Sequence, residues 1–339
     1  MKKVHVSEAV GMVLGHDLTK IVPGEYKGPA FRKGHIIQPE DIPHLKDIGK
    51  EHIFLIELNE GQLHENDAVR RIAKCVAGVN TNIADPAEGR VNIIAKQDGL
   101  LKVNKEAVTA INSVEHAVLA TLHSNRLVKA GDILAGVKVI PLVVEESMVR
   151  KVEEIAGQYS GIIAVSPLAN LKVGVVVTGN EVYYGRIKDK YGPVIANKIA
   201  FYGAKLAGIA YCPDDREMIT QTILNHINSG ADIVVTSGGM SVDPDDVTPE
   251  AIRATGADVI TYGAPVLPGA MFMLAYLNNT AILGMPACGM YSKITIFDFV
   301  FPRIITGEQL SKHDFAVMGY GGLCLNCQEC SYPACSFGK

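Results

Sequence analysis

The stretch Thr236-Ser-Gly-Gly-Met-Ser-Val-Asp-Pro-Asp-Asp-Val-Thr-Pro-Glu-Ala251 predicts a strand end, a glycine loop, an acidic turn and a helix, in that order. The apolar run Ile233-Val-Val235 leads into it. This succession is typical of a βα unit whose loop faces a ligand. Gly238 and Gly239 would let the backbone approach a bound anion closely, with amide N–H groups pointing at it.

Three carboxylates follow these glycines, at Asp243, Asp245 and Asp246. Carboxylates beside a phosphate usually share a metal ion with it, because the bare negative charges would repel each other. The acidic turn therefore predicts a metal ion at this position. Thr248 is expected to cap the following helix, with Pro249 at its first position.

The composition excludes several classes of protein. The chain has 339 residues, 48% of them apolar, and a net charge of −4. This length predicts two or three domains, and the charge does not favour binding to nucleic acid or to anionic lipid. Met1–Glu8 lacks the apolar core of a signal peptide, and no apolar run approaches the roughly 20 residues of a membrane span. We therefore expect a cytoplasmic protein with neither nucleic acid nor membrane among its partners.

Changes of pattern along the chain predict four regions. They are an N-terminal α+β region (1–60), a β-rich, half-barrel-like region with a linking helix (61–160), an α/β domain (161–310) and a Cys-rich tail (311–339). Short strands separated by glycine turns are the basis of the half-barrel prediction.

The α/β domain is predicted to be a three-layer, doubly wound and mostly parallel sheet, because apolar strands and helices alternate from about residue 161 to 307. The predicted strands are 172–177, 206–210, 232–235, 258–261 and 280–283, and the predicted helices are 195–205, 214–229, 248–255 and 290–305. Ligands of such sheets bind at the carboxyl ends of the strands. The loops at 178–181, 236–246 and 284–292 are therefore the candidate binding loops.

These loops carry motifs that resemble those of molybdopterin-binding domains. Thr178-Gly-Asn-Glu-Val182 is similar to the Thr-Gly-Asp-Glu-Leu signature of that family, and Ser237-Gly-Gly-Met-Ser-Val242 is similar to its Ser-Gly-Gly-Val-Ser-Val. Asp246-Val-Thr-Pro-Glu-Ala251 resembles a run in the molybdopterin adenylyltransferases. Further similar positions, in the same order, are Pro193–Lys198, Pro268-Gly269 and Gly284-Met-Pro286.

The resemblance implies that molybdopterin, or its adenylylated form, lies among these loops. Asp246 would be the catalytic residue and would hold Mg²⁺ beside the pterin phosphate. Asn197 is either a ligand of the pterin or phosphate, or the N-cap of the next helix. The implied cofactor-binding residues are Thr178, Gly179, Glu181, Asn197, Ser237, Gly238, Gly239, Ser241, Pro268, Gly269, Gly284 and Pro286.

Other positions depart from the related molybdotransferases. Phe31–Ile53 resembles the segment that precedes their pterin domain, but here about a hundred residues intervene. Ala270 stands where they carry a lysine expected to help hold molybdate, and Met285–Gly289 replaces their Leu-Pro-Gly-Asn-Pro loop. Their Ser-Ala-Met-Asp-Gly-Tyr-Ala motif is absent from the N-terminal region. The resemblance therefore supports pterin binding more directly than molybdate insertion.

Three functions remain open at this point. The first is a transferase of molybdenum cofactor biosynthesis that acts on the pterin phosphate. The second is a non-catalytic carrier or sensor of the cofactor, and the third is a nucleotide-pyrophosphate hydrolase, since related domains occur in competence-damage-inducible proteins. Expected partners are molybdoenzymes, other cofactor-biosynthesis proteins and further copies of the chain.

The tail contains four of the seven cysteines, Cys324, Cys327, Cys330 and Cys335, with the spacing C-x2-C-x2-C-x4-C. Clustered cysteines in a cytosolic chain favour metal binding over disulfides. The spacing is close to that of ferredoxin-type [4Fe–4S] runs and less like the two separated pairs of a zinc site. We keep open a [4Fe–4S] cluster, structural Zn²⁺, and a tail without metal.

Overall fold

The computed structural model describes residues 2–22, 24–55, 58–87, 89–140, 142–241 and 243–339. The chain divides into two compact units, the first formed by Met1–Ser124 with Val128–Val165 and the second by Asn125–Leu127 with Ser166–Lys339. The finer division into four regions stays a prediction. Within the described residues, no helix reaches the length and apolarity that a membrane crossing needs.

Short strands and helices alternate up to residue 166. They are β1 (Lys2–His5), a 3-10 helix (Val6–Glu8), β2 (Leu18–Val22), β3 (Tyr26–Phe31), α1 (Asp41–Asp47), β4 (His52–Leu55), β5 (Gln62–His64), α2 (Glu65–Val76), β6 (Thr81–Ile83), β7 (Arg90–Ala95), β8 (Gly99–Val103), α3 (Lys105–Asn112), β9 (Ala117–Thr121), β10 (Leu127–Val128), β11 (Ile133–Val139), β12 (Val143–Glu145), α4 (Glu146–Ala156) and β13 (Ile163–Ser166).

The core of the first unit forms where α2 and α4 pack with an antiparallel sheet ordered β6-β7-β11-β9. Val91 and Ile93 alternate along β7 with half-exposed neighbours, as expected for a sheet with one buried face. A smaller cluster around Leu14, Ile37 and Leu45 closes the N-terminal part. These regions are the smaller β-rich α+β structure that the sequence predicts before the α/β domain.

The second unit contains a larger α/β domain. Its elements are β14 (Lys172–Thr178), α5 (Asn180–Tyr183), α6 (Tyr191–Phe201), β15 (Lys205–Cys212), α7 (Arg216–Asn228), β16 (Ile233–Ser237), α8 (Thr248–Ala254), β17 (Asp258–Tyr262), β18 (Met273–Leu277), β19 (Thr280–Met285), a 3-10 helix (Ala287–Met290), α9 (Phe297–Ile305) and α10 (Lys312–Val317).

One sheet, ordered β15-β14-β16-β19-β18-β17 in the described residues, organises this domain. Neighbours from β15 to β19 pair in parallel, and β18 pairs antiparallel with both β19 and β17. Ile233 and Val235 of β16 face one cluster with α6 and α9, whereas Val234 faces another with α7 and α8. Helices therefore cover both faces, and the predicted three-layer, mostly parallel α/β fold is confirmed.

Two predicted helices of this domain were wrong in their bounds, and one strand was missed. The helix expected at 195–205 begins at Tyr191 and ends at Phe201, and most of the one expected at 290–305 is α9, Phe297–Ile305. Strand β18 was not predicted. It forms a hairpin with β19 around Asn278, whose backbone is left-handed with φ 53°.

After α10 the chain lies against the same domain. Residues 318–339, all of which the structure describes, contain turns and one isolated bridge but no helix or longer strand. Leu323 bridges Leu267, and Phe337 is buried in the main core. The ring of Phe337 packs edge-on against that of Phe299, with the centroids 4.8 Å apart.

Candidate functional site

The glycine loop follows β16 at the carboxyl edge of the sheet. Gly238 and Gly239 both have left-handed backbones, with φ of 93° and 54°. A side chain at Gly238 would collide with the carbonyl of Thr178 and would lie 2.6 Å from its hydroxyl. One at Gly239 would lie 2.8 Å from the hydroxyl of Thr248. Glycine is required here by both the backbone conformation and the space available.

Two buried hydroxyl groups lie beneath this loop and support it through hydrogen bonds. The Thr178 hydroxyl donates to the Ser237 carbonyl at 3.1 Å and lies 3.2 Å from the Thr248 hydroxyl. Because a hydroxyl has one hydrogen, Thr248 donates in the second bond. Thr248 was expected to cap α8, but the N-cap is Val247 and makes no side-chain cap bond. The threonine instead joins β14 to α8 under the loop.

Tyr262 fixes the loop from the other side. Its single hydroxyl hydrogen is shared between the carbonyls of Met240 and Ser241, at 2.9 and 3.1 Å, and the Arg253 guanidinium lies 5.5 Å from its ring centroid. Burial raises the pKa of the Tyr262 hydroxyl, and the charge of Asp246 raises it further. The phenol therefore stays protonated and keeps donating.

A pocket of about 500 Å³ opens beside this loop. Its volume is within the range of small-molecule sites. Among the described residues that line it are two carboxylates but no lysine or arginine. The lining residues are Gly238, Gly239, Met240, Ser241, Asp243, Asp246, Leu267, Pro268, Gly269, Ala270, Met271, Pro286, Ala287 and Cys288.

Asp246 is half-buried in the wall of this pocket. Its carboxylate accepts the amide N–H of Asp243 at 3.1 Å, and its own N–H donates to the Asp243 carbonyl at 2.9 Å. One carboxylate oxygen is thus used to close the acidic turn. Asp243 and Asp245 are exposed, and only Asp243 of these two lines the pocket.

Asp214, in the loop after β15, adds to the negative charge near Asp246. Its carboxylate accepts the Asn180 N–H at 2.9 Å, which joins the loops after β14 and β15. Burial raises the pKa of Asp214 against the effect of that bond, and the charges of Glu181, Asp246 and Asp245 add to the rise. Such a cluster favours the arrival of a cation or a hydrogen-bond donor.

The structure brings together about half of the cofactor-binding residues predicted from the sequence. Gly238, Gly239, Ser241, Pro268, Gly269 and Pro286 line the pocket together with Asp246. Others lie outside its lining: Thr178, Gly179, Glu181, Asn197, Ser237 and Gly284. Thr178, Ser237 and Gly284 are buried below the loops, where they support them.

Asn197 is exposed in the middle of α6, six residues after the helix begins at Tyr191. The N-cap alternative for Asn197 was therefore wrong. Its role as a pterin or phosphate ligand stays a prediction. Glu181 is exposed in the first turn of α5, and its role in cofactor binding also stays a prediction.

The 3-10 helix after β19 contributes Cys288 to the pocket. Burial raises the pKa of the Cys288 thiol, so the group is neutral near pH 7 and is a weak metal ligand or nucleophile. The Tyr191 hydroxyl donates to the Pro286 carbonyl at 2.6 Å and holds this corner in place. Burial also raises the pKa of Tyr191.

The structure does not show the predicted metal sites as closed ligand sets. Within the described part of the chain, no group of three or more His, Cys, Asp or Glu side chains is arranged to hold a metal ion. In the tail, Cys324 and Cys335 are half-buried, and Cys327 and Cys330 are exposed. Mg²⁺ at Asp246 and a metal in the tail therefore stay predictions.

Sequence reasoning missed several residues that shape the site. Tyr262 was absent from the candidates, although an aromatic with a polar tip at the end of a predicted strand is a usable signal. Leu267 and Met271 line the pocket without any motif that marks them. They are apolar, and only their spatial position identifies them.

Residues 174–306 match the family described as a probable molybdopterin binding domain. The resemblance carried by the loop motifs is thereby confirmed for this part of the chain. Residues 3–57 match a second family, described as a domain of unknown function.

Individual relatives cover only part of the chain. A CinA-like protein of Mycobacterium leprae (strain TN) is 36% identical over 85 residues, which are 25% of this chain and 20% of that protein. A CinA-like protein of Mycobacterium tuberculosis (strain ATCC 25177 / H37Ra) is 37% identical over 90 residues, or 26% and 21% of the two chains. The matched segment thus spans about a fifth of these curated relatives.

Among solved structures, the molybdopterin biosynthesis enzyme MoaB of Thermus thermophilus is similar to this chain. It is 21% identical, with a TM-score of 0.33, and the match covers 41% of this chain and 98% of that one. The fold class given above rests on the strand order and the two helical layers.

Proposed function

We propose that the pocket beside Gly238 and Gly239 binds molybdopterin or its adenylylated form, and that the chain acts in molybdenum cofactor biosynthesis. The observation that carries the proposal is the position of the loop motifs. Residues from three separate motifs of the family, Gly238–Ser241, Pro268-Gly269 and Pro286, line one pocket of about 500 Å³. The family match of residues 174–306 supports the same ligand.

The charges of the pocket bear on how a pterin phosphate would be held. Asp243 and Asp246 line it, and its described wall has no cationic side chain to balance a phosphate. Backbone amides of a glycine loop can donate to phosphate oxygens, but they do not neutralise nearby carboxylates. A divalent cation that enters with the phosphate would offset this repulsion. The described carboxylates do not form a ready Mg²⁺ site, so we assign no chemical step to that ion.

Asp246 is the residue we propose for a transferase step on the pterin phosphate. It is half-buried, lines the pocket, and is held in place by its turn. Its carboxylate can orient a cation or a donor against the phosphate. Ala270 favours a second candidate, a non-catalytic cofactor carrier or sensor, because it lies in the wall where the molybdotransferases place a lysine. Molybdoenzymes, other biosynthesis proteins and a second copy of the chain stay predicted partners, and the cytoplasm stays the predicted location.

The test uses protein purified without oxygen. A fluorescent oxidised pterin released on denaturation is the expected result. Isothermal titration with molybdopterin should show binding that strengthens with Mg²⁺. Asp246→Asn should weaken the Mg²⁺-dependent part, while Asp245→Asn, in the same turn but outside the pocket lining, should leave it unchanged.

Turnover assays separate the candidate functions. Adenylyl or molybdate transfer supports the transferase, tight binding without turnover supports the carrier, and release of nucleotide monophosphate supports the pyrophosphate hydrolase. Equal pterin binding by the wild type and a protein with a blocked loop, Gly239→Val, would overturn the site.

A further inference from the structure

The tail adds a second cavity next to the pterin pocket. All four tail cysteines, Cys324, Cys327, Cys330 and Cys335, line this cavity, whose volume is about 660 Å³. We propose that these four thiols bind one thiophilic metal centre, Zn²⁺ or an iron–sulfur cluster, and that this centre fixes the wall between the two cavities. The metal site is independent of the proposed pterin ligand, and only the role of the wall rests on it.

The first cysteine already has the backbone environment of a metal ligand. The N–H of Asn326 donates to the Cys324 sulfur at 3.4 Å, and Asn326 has a left-handed backbone with φ 51°. Hydrogen bonds to the ligating sulfurs are a recurrent feature of metal–thiolate centres in proteins. Lys293 and Glu329 also border the cavity, and the lysine would offset part of the negative charge of metal-bound sulfurs.

The exposure of the four thiols suits closure around a metal. Cys324 and Cys335 pack against the main core, which fixes two ligand positions. Cys327 and Cys330 are exposed on the connecting loop. Because the sulfurs are not yet a closed ligand set, binding requires this exposed loop to draw inward. The required movement leaves the core in place.

A metal centre would also explain why this segment folds without regular structure. Residues 318–339 have no helix or longer strand, and they are held at Leu323 by a bridge and at Phe337 by burial. The cysteine loop lies between these two anchors. Irregular segments of this kind gain much of their order from metal ligation, since the ordering entropy of the loop is offset by the metal–sulfur bonds.

Backbone hydrogen bonds connect this cavity to the pterin pocket. The N–H of Leu267 donates to the Gly322 carbonyl, and the N–H of Cys324 donates to the Leu267 carbonyl, both at 2.8 Å. Leu267 lines the pterin pocket, and Pro268 lines both cavities. A metal on Cys324 would therefore order the Leu267–Gly269 wall.

The decisive variant is Cys327→Ser/Cys330→Ser, because both side chains are exposed and the core does not depend on them. Its matched control is Cys75→Ser, a half-buried cysteine in the first unit. Iron, zinc and acid-labile sulfide are measured per chain after anaerobic purification, and again after reconstitution with Zn²⁺ or with iron and sulfide. The wild type and the control should hold about one zinc, or about four irons with as much sulfide. The double variant should keep less than about a tenth of this.

Hydrogen exchange, measured without any pterin present, tests whether the metal orders the Leu267–Gly269 wall. Metal-loaded wild type should protect the amides of Leu267 and Cys324 at least about tenfold more than the double variant. A wild type that takes up neither metal, or a double variant that keeps full metal content, overturns the metal site. Metal uptake with equal exchange at Leu267 overturns the connection to the wall. Neither readout depends on pterin binding, so failure here is distinct from failure of the proposed function.

Discussion

Gly238→Ala tests whether the glycine loop is fixed by the contact with Thr178. The matched control is Gly230→Ala, in the turn that precedes the same strand, β16. Gly230 has a similar backbone, with φ of 85° against 93°, but among the described residues beyond its chain neighbours no atom lies within 4 Å of an added side chain. Both variants carry the cost of a left-handed alanine, and only Gly238→Ala meets a neighbour.

The expected losses of stability follow from two costs, that of the left-handed backbone and that of the steric overlap. A left-handed alanine costs about 1 kcal/mol relative to glycine. Overpacking against a rigid backbone adds about 1–3 kcal/mol, because the Thr178 carbonyl belongs to β14 and moves only with the sheet. We therefore expect Gly230→Ala to lower the free energy of unfolding by about 1 kcal/mol and Gly238→Ala by about 3 kcal/mol.

The assay has to report on the second unit alone. Hydrogen exchange of peptides that cover β16, followed through a urea series, gives the local free energy of unfolding for both variants. Equal destabilisation by the two alanines would refute the reasoning, since it would show that the loop can move away from Thr178. In that case the pocket wall would be adaptable, and pterin affinity should survive Gly238→Ala.

Three further predictions concern charge. Burial would raise the pKa of Asp314, but hydrogen bonds from Ser311 and Arg303 lower it to about 2. The ionised carboxylate therefore stabilises the folded state above about pH 4, and this contribution is lost as the pH falls towards about 2. Asp314→Asn should lower the free energy of unfolding by about 2 kcal/mol at pH 7 and by almost nothing at pH 2, measured by urea unfolding. The pKa of Asp214 is raised, chiefly by burial, so its ionisation should lower the free energy of unfolding of the wild type as the pH rises from about 4. Asp214→Asn should abolish this decrease when urea unfolding is measured over the same pH range. Ala270→Lys should tighten binding of a phosphate-bearing pterin by roughly fivefold to tenfold, and high salt should abolish this increase in affinity. The uncharged variant Ala270→Met should not bind more tightly than the wild type.

The sheet was predictable because its strands are continuous apolar runs. Buried parallel strands such as Val173–Val177 carry this signal on both faces, and their order along the chain fixes the candidate loops. Strand β18 carried the same kind of run, but its position next to a Pro-Gly loop concealed it. The signal that would have found it is the pair Asn278-Asn279 between two apolar segments, which is typical of a tight hairpin.

The candidate site was predictable as a set of loops but not in its details. Hydroxyls are local signals for phosphate binding, yet Thr178 uses its hydroxyl on Ser237 and Thr248, which are distant in sequence. The sequence also left open where the tail docks, since its contact with Leu267 joins residues more than fifty positions apart. Long-range pairings of this kind depend on packing that no local pattern encodes.

The core of the second unit extends beyond the segment that the family match covers. That segment ends at residue 306, whereas Leu310, Phe315 and Phe337 are buried in the core. Each buried side chain of this size contributes about 2 kcal/mol. A recombinant fragment cut at the family boundary would expose the facing surface of Phe272 and Phe299 and would be prone to aggregate. For this chain, the unit defined by evolutionary similarity is smaller than the unit that folds.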